Sequence, residues 1–512
     1  MSQFFQRALV ILIAVLQGCA MPSGSGKAAI TISNANAYLL ANRITWGANS
    51  SSVERLQAVG SKAFLKAQLQ PVEAAELPQD VQAQIDSMRI AQVPLMNLIQ
   101  DMERQSKEAN AHVDGDTKKA AQQAYQTEMN RLAREAATRH LLRALYSPHQ
   151  VQEQMTWFWL NHFNVHQGKS NLRAMVGDYE NAAIRPHALG KFRELLGAVV
   201  QHPAMLRYLD NEQNAAGRIN ENFARELMEL HTLGVDAGYS QNDVQELARV
   251  LTGVGVNLGP NNPTMRKELQ AFYMRKGLFE FNPARHDFGA KTLLGQPIRS
   301  RGLSELDEAL DRLAKSPSTA KFISKKLATY WLSDEPKQQV LDAMAQAFEH
   351  SDGDIASTLE ALFTSSEFSN PEQAKLKDPM RYVVSAVRLA YDTKTISNVG
   401  PMLNWINRLG EPLYGHATPD GYALQSSAWA SPGQLTIRFE VAKAIGSGSV
   451  GLFRTEGPPV QDRPAFPQLA NALYYQSIRQ TLGPATRQAL EQATSAQEWN
   501  AFLLSSPEMM YR

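Results

Sequence analysis

Apolar residues recur at spacings of three and four along most of the chain. This predicts helices at 37–43, 52–69, 81–109, 118–145 and 148–165. The pattern resumes at 191–200, 220–233 and 241–251, where Ser240 followed by Asp243 reads as a helix start. Gly259-Pro260-Asn261-Asn262-Pro263 then interrupts it. Around 256–300 the pattern is irregular, with short strands expected near 271–281. Helical periods return at 304–314, 319–332, 338–350, 355–363 and 379–391, and again at 468–504. The stretch 410–433, rich in Pro, Gly and Tyr, reads as a long ordered loop. The expected fold is therefore mainly α: one large multi-helix body over 31–512, with an irregular insertion around 256–300.

The N-terminal pattern differs. Arg7 precedes a short apolar run, Ala8 to Leu16, about half the ~20 residues that span a bilayer, so 1–18 reads as a signal peptide. Leu16-Gln17-Gly18-Cys19 is similar to a lipobox, which makes Cys19 the candidate for acylation and a membrane anchor. Ordinary cleavage after Ala20 is the alternative. Residues 19–30 then serve as a flexible tether. The localisation expected is the periplasmic or cell-surface face of a bacterial membrane. Cys19 is the sole cysteine, which removes disulfides, thiolate metal sites and a cysteine nucleophile from the body. Fifty-one basic against fifty acidic residues leave a net charge of +1, and nothing in that balance points to nucleic acid.

Three constellations could carry chemistry. His162 and His166, in Trp157-Phe158-Trp159-Leu160-Asn161-His162-Phe163-Asn164-Val165-His166, lie one turn apart if the helix continues, a spacing that lets two imidazoles share a metal. The bland alternative is a pair of core histidines. On the helix at 220–233, Asn222, Glu226 and Glu229 fall within one arc with Arg225 on its flank, while His231 projects to the other side. Glu226 and Glu229 read either as an acid/base or ligand pair or as part of a Glu221–Arg225–Glu229 ladder. Third, His286-Asp287 in a Gly-bounded loop suits catalysis or coordination, or loop anchoring. Gly446-Ser447-Gly448-Ser449-Val450-Gly451 matches a dinucleotide fingerprint only by letter, because it follows a helix-like run and Pro458-Pro459 comes soon after. Pro419-Asp420-Gly421-Tyr422 reads as a turn.

These stretches resemble the large bacterial family called domain of unknown function 1800. The resemblance begins at Leu39-Leu40-Ala41-Asn42-Arg43 and continues through Phe158-Trp159-Leu160-Asn161-His162-Phe163. It is strongest over 220–253, and later covers His286-Asp287, 317–323, 375–388 and 409–422. Ser316 departs from it, standing before Pro317 where the family suggests histidine. The resemblance implies an exported, largely helical protein without an assigned reaction, and an exported protein partner of sulfatase-like character. The expected function is an envelope lipoprotein with one polar pocket. There His162, His166 and His286 would hold a divalent metal, with Glu226, Glu229 and Asp287 moving protons in hydrolysis or oxidation. The rival is a non-enzymatic binding or assembly protein that presents the long polar region 81–145 to its partner.

Overall fold

Helix dominates because the amphipathic periods are long and well capped, and strands appear only where the period fails. A computed structural model describes residues 33–71, 76–370, 374–454 and 466–512. The signal peptide, Cys19 and the tether fall outside these residues. Helix accounts for 63% and strand for 4%, so the protein is mainly α with small sheets. The described residues belong to one unit with one continuous apolar core.

The first helix, α1 (Asn34–Ile44), starts on the Ser33 hydroxyl. It packs against C-terminal residues: the Tyr38 hydroxyl lies 3.6 Å from the Met509 sulfur, and Asn42 Nδ2 donates to Tyr511 O at 3.3 Å. Two long helices, α2 (Leu95–Ala111) and α3 (Gly115–Tyr146), form an antiparallel hairpin. Its tip exposes Val113 fully. Arg89 bridges its two arms through Asp101 and Glu128. The apolar α4 (Gln150–His162) runs through the core, where Trp159 and Phe158 are closed off from solvent.

Several predicted helices are broken where glycine or proline intervenes. The run 52–69 splits at Gly60, whose φ of +80° no continuing helix accepts. The run 81–109 splits ahead of Pro94, which takes the extended conformation before α2. The run 148–165 ends at His162 rather than Val165, because Phe163 leaves the helical region at φ −104°, ψ 52°. Similarly, 220–233 stops as α5 (Asn222–Glu229). The next helix, α6 (Gln241–Val250), opens on the expected capping box: Ser240 Oγ accepts from Asp243 N at 3.2 Å, and the Asp243 carboxylate accepts from Ser240 N at 2.8 Å.

The irregular insertion contains a three-stranded antiparallel sheet. Its strands are β1 (Val254–Val256), β2 (Met274–Lys276) and β3 (Phe279–Phe281) in the order β1-β3-β2, with Gly255 opposite Glu280. A short hairpin, β4 (Thr292–Leu293) with β5 (Gln296–Pro297), completes it. Helices α7 (Leu303–Ala314) and α8 (Pro317–Trp331) follow. Ser316 is the N-cap of α8, its hydroxyl accepting from Ser318 N at 3.3 Å. The structure thus gives that departure from the family pattern a capping role.

Further on come α9 (Pro379–Tyr391), a helix the periodicity did not predict, Gly400–Arg408, and α10 (Pro432–Gly446), the helix-like run ahead of the glycine-rich 446–451. The C-terminal run 468–504 is broken by Gly483-Pro484 into a π turn (Tyr474–Ile478) and the helices Pro484–Gln492 and Ala496–Leu504. Arg381 of α9 lies among the Trp46, Tyr330 and Trp331 rings at 5.5–5.6 Å, so a cation sits in the aromatic core.

Candidate functional site

The C-terminal end of α4 is where the chemistry collects. Once the helix stops, Asn161 and Asn164 turn their amides to the loop after residue 410. Asn164 Nδ2 donates to His416 O (3.1 Å) and Thr418 O (2.7 Å). Asn161 brackets Tyr422, donating to its carbonyl at 2.9 Å and accepting from its N–H at 2.6 Å. Gly421, at φ +73°, allows this approach, because a Cβ there would lie 2.1 Å from Asn161 O. Tyr414 anchors the loop from the other side by donating to the Glu180 carboxylate, which a π turn (Tyr179–Ile184) presents to it.

This docking leaves Asp420 on the surface, its side chain 61% exposed. Its Oδ1 accepts from Thr418 Oγ1 at 2.5 Å and lies 3.3 Å from His416 Nε2. Burial alone would raise its pKa, but the Thr418 and His416 hydrogen bonds outweigh that and hold it below the usual aspartate value. Close enough to feel its charge, Glu226 of α5 is half-buried, and its carboxylate has no hydrogen bond among the described residues. Burial first, then the charges of Glu229 and Asp420, raise its pKa against the pull of Arg225. Tyr208 donates to Ala417 O at 2.8 Å, and burial with the nearby Asp420 and Glu226 charges pushes its pKa up to about 12. Lys326 of α8 lies beside this group, with Nζ 5.5 Å from the Phe322 ring centroid. Burial brings its pKa down to about 8, although the Asp420 charge pulls the other way.

Inside the body His162 is fully enclosed by Phe158, Trp159, Phe163, Phe322 and His231. Its Nε2 lies 3.0 Å from His231 O, so Nε2–H donates and the ring is neutral. Burial, the Lys326 charge and His231 drive its pKa well below the ordinary value; the first two bring His231 down to about 3. His162 Nδ1 and both ring nitrogens of His231 have no partner among the described residues.

The other sequence candidates lie elsewhere. His166 is beyond the end of α4, so it does not share a helix face with His162, and the i,i+4 premise is corrected by the helix stop. His286 is wholly enclosed, with Nδ1 2.8 Å from Thr252 O and Nε2 3.1 Å from Glu305 Oε1. Lys291 completes that buried triad at 2.6 Å from Glu305 Oε2. Asp287 is clamped by Arg249 (2.8 and 3.3 Å) and accepts from Gly289 N (2.8 Å), and the Arg249 hydrogen bond leads in lowering its pKa to about 2. Both residues hold the loop. Glu229 belongs to the ladder, 3.4 Å from Arg225, which also reaches Glu221 at 3.2 Å. The hydrogen-bond and ring partners of His162, His166 and His286 have no residue in common, so the three expected metal ligands are not brought together. Among the described residues no group of three or more His, Cys, Asp or Glu could hold a metal ion.

Sequence reasoning missed Asp420, Tyr208, His416 and Lys326. Asp420 was hidden in a stretch that reads as a turn. Lys326 carried a faint signal: it falls three residues after Ile323 and four before Tyr330, a charge among apolar positions.

Fold and site together define a mainly α protein with a cluster of titratable side chains, built where a proline- and glycine-rich loop seals the end of a core helix. The stretches that meet there are those that carried the resemblance. The chain belongs to the family described as protein of unknown function (DUF1800), whose model matches residues 39–511. No curated protein and no solved structure matches it.

Proposed function

We propose that the chain is an exported, lipid-anchored envelope hydrolase in which Glu226 is the general acid and Asp420 the ionised carboxylate. One observation carries this reading: of two neighbouring carboxyl groups, Glu226 is half-buried with its pKa raised, while Asp420 is hydrogen-bonded by Thr418 with its pKa lowered. That division of labour suits cleavage of a glycosidic or similar acetal bond. Glu226 gives its proton to the leaving oxygen as the C–O bond breaks. Asp420 stabilises the positive charge that develops on carbon, and water supplies the hydroxyl and returns a proton. The N-terminal pattern of Arg7, the apolar run and Cys19 supports export and anchoring.

The test uses protein purified from Ala20 onward and measures reducing ends released from isolated envelope polysaccharide. Glu226→Gln is expected to lower kcat by about 10²-fold or more, and full activity in that variant overturns the assignment. Metal content by mass spectrometry separates this scheme from metal-assisted hydrolysis or oxidation through His162. Cys19→Ser is expected to move the protein from the membrane to the soluble fraction; retention on the membrane refutes the anchor.

A second reading, an envelope assembly protein acting with an exported partner, is favoured by the α2–α3 hairpin, whose tip is exposed at Val113. Deleting the tip would abolish capture of that partner from solubilised membranes while leaving Glu226 and Asp420 in place.

A further inference from the structure

We propose that the pocket between α1 and α9 binds one small inorganic anion of the chloride type, held by the Lys377 ammonium. None of the residues assigned to hydrolysis lines this pocket, so the proposal does not depend on that reading. Its walls include Tyr38, Asn42, Lys377, Tyr382 and Ser385, and its free volume of about 10 Å³ admits a body the size of one water or one halide. Lysines drawn into this body are normally paired: Lys291 has Glu305 at 2.6 Å, Lys375 has Asp334 at 2.5 Å, and Lys169 has Asp210 at 2.8 Å. Lys377 is only 3% exposed, yet its Nζ has no hydrogen bond and no ion pair among the described residues. That Nζ is not shut off from every void, as Nε of Arg381 and Nε of Arg438 are, so the space it meets is the pocket.

Three further cations act on Lys377. Arg438 donates from Nη2 to Lys377 O at 2.6 Å, and its guanidinium lies 4.8 Å from the Tyr382 ring. Arg381 and Arg512 both lie against the Tyr330 and Trp331 rings, at 5.3–5.6 Å. Ring faces favour the charged guanidinium without supplying a counter-ion. Nε of all three arginines, and Nη1 of Arg438 and Arg512, have no hydrogen-bond partner among the described residues, and no ion pair joins any of the four cations to an acid there. The neighbouring acids are already engaged. Asp378 accepts from Arg381 N at 2.7 Å as the cap of α9, and Glu508, whose charge reaches Tyr38, accepts from Gly483 N and Thr486 Oγ1. Glu411 accepts from Met380 N at 2.8 Å, and burial, then the Asp378 charge, pushes its pKa well up, so it adds little negative charge.

An anion in the pocket gives Lys377 its missing partner and offsets the repulsion among the four cations. Burial first, then the charges of Arg381, Arg438 and Arg512, bring the Lys377 pKa down to about 7, and a negative ion beside Nζ reverses that penalty. Tyr38 supplies a second donor, because its hydroxyl otherwise meets only the Met509 sulfur, a weak acceptor at 3.6 Å. A water would satisfy Nζ but bring no charge, and a metal cation would be repelled. The pocket lies where α1 meets Leu504 and Met509, so the ion also ties the first helix to the end of the body.

The experiment melts the whole purified chain at pH 6 and a constant ionic strength of about 200 mM, with sodium gluconate, too large for the pocket, replaced stepwise by sodium chloride. The melting temperature is expected to rise by about 2 °C, as binding in the ~10 mM range gives for a body of this size. Bromide is expected to match chloride. Crystals grown in bromide are expected to show an anomalous peak within hydrogen-bonding distance of Lys377 Nζ, and Lys377→Met to lose both the peak and the chloride response. No rise in chloride, or a rise that Lys377→Met keeps, overturns the proposal. A rise with no bromide beside Lys377 also overturns it, and that result needs only the wild-type chain should the variant fail to fold. Neither readout uses polysaccharide cleavage, so the hydrolytic reading stands or fails separately.

Discussion

Replacing Gly421 with alanine tests whether the loop docks on the end of α4 as described above. The residue holds φ +73°, and a Cβ would meet Asn161 O at 2.1 Å, Asn161 Oδ1 at 2.7 Å and the Asn161 carbonyl carbon at 3.0 Å. Alanine has no rotamer with which to escape. The left-handed conformation costs about 1 kcal/mol for a residue with a Cβ. The clash is with helix-end backbone, so the loop moves away and loses both Asn161–Tyr422 hydrogen bonds, each worth about 1 kcal/mol. Their sum is a loss of about 3 kcal/mol, read as a lower urea midpoint by tryptophan fluorescence. Asn161→Ala removes the same two bonds without the clash, so it is expected to lose about 2 kcal/mol. The double variant should be less unstable than the two losses added, because the bonds are shared. A loss under about 1 kcal/mol for Gly421→Ala, or full additivity, would refute the argument.

Three further outcomes follow from the same contacts. Glu305→Leu strips Lys291 and His286 of their shared acceptor inside the body. Because Lys291 keeps carbonyl acceptors at Asp287 and Gly289, the loss is expected near ~3 kcal/mol, by urea denaturation. Asp287 has a folded pKa of about 2 against 3.8 unfolded, so its ion pair stabilises the fold above about pH 4 and loses that effect as pH falls toward 2. Asp287→Asn should flatten stability across that window, by under ~1 kcal/mol since the pair is partly solvated. Glu226 has the opposite sign. Its raised pKa makes the fold less stable as pH rises from the unfolded value through the folded one, so Glu226→Gln should raise the melting temperature at pH 7 even as it removes the proposed acid.

Local pattern carried the helices and little of the site. The capping box at Ser240–Asp243 was readable because both partners are three residues apart. The end of α4 was not: 163–165 continue the apolar spacing, and what stops the helix is Asn164 bonding to carbonyls more than 250 residues away. The Glu221–Arg225–Glu229 ladder was legible for the first reason, and the partnership of Glu226 with Asp420 was obscured for the second. His286-Asp287 looked like chemistry because its partners, Glu305 and Arg249, lie on other elements. His231, expected on the far side of the helix from Glu226 and Glu229, lies beyond its end at Glu229, and its place beside His162 is a contact between distant residues that no spacing encodes.

The contact between α1 and residues 509–511 bears on the order in which the chain can fold. Tyr38 and Met509 are 471 positions apart, and Leu376 forms a backbone bridge with Tyr511. A ribosome makes α1 and its neighbour Ser50–Val59 early, but residues 509–511 come very late, so the part of α1 that they cover stays open through nearly all of synthesis. Contacts this distant in sequence slow folding, because loop closure precedes any gain from them. A chain whose first helix is covered only when residue 511 arrives closes that part of its core last, at the very end of synthesis.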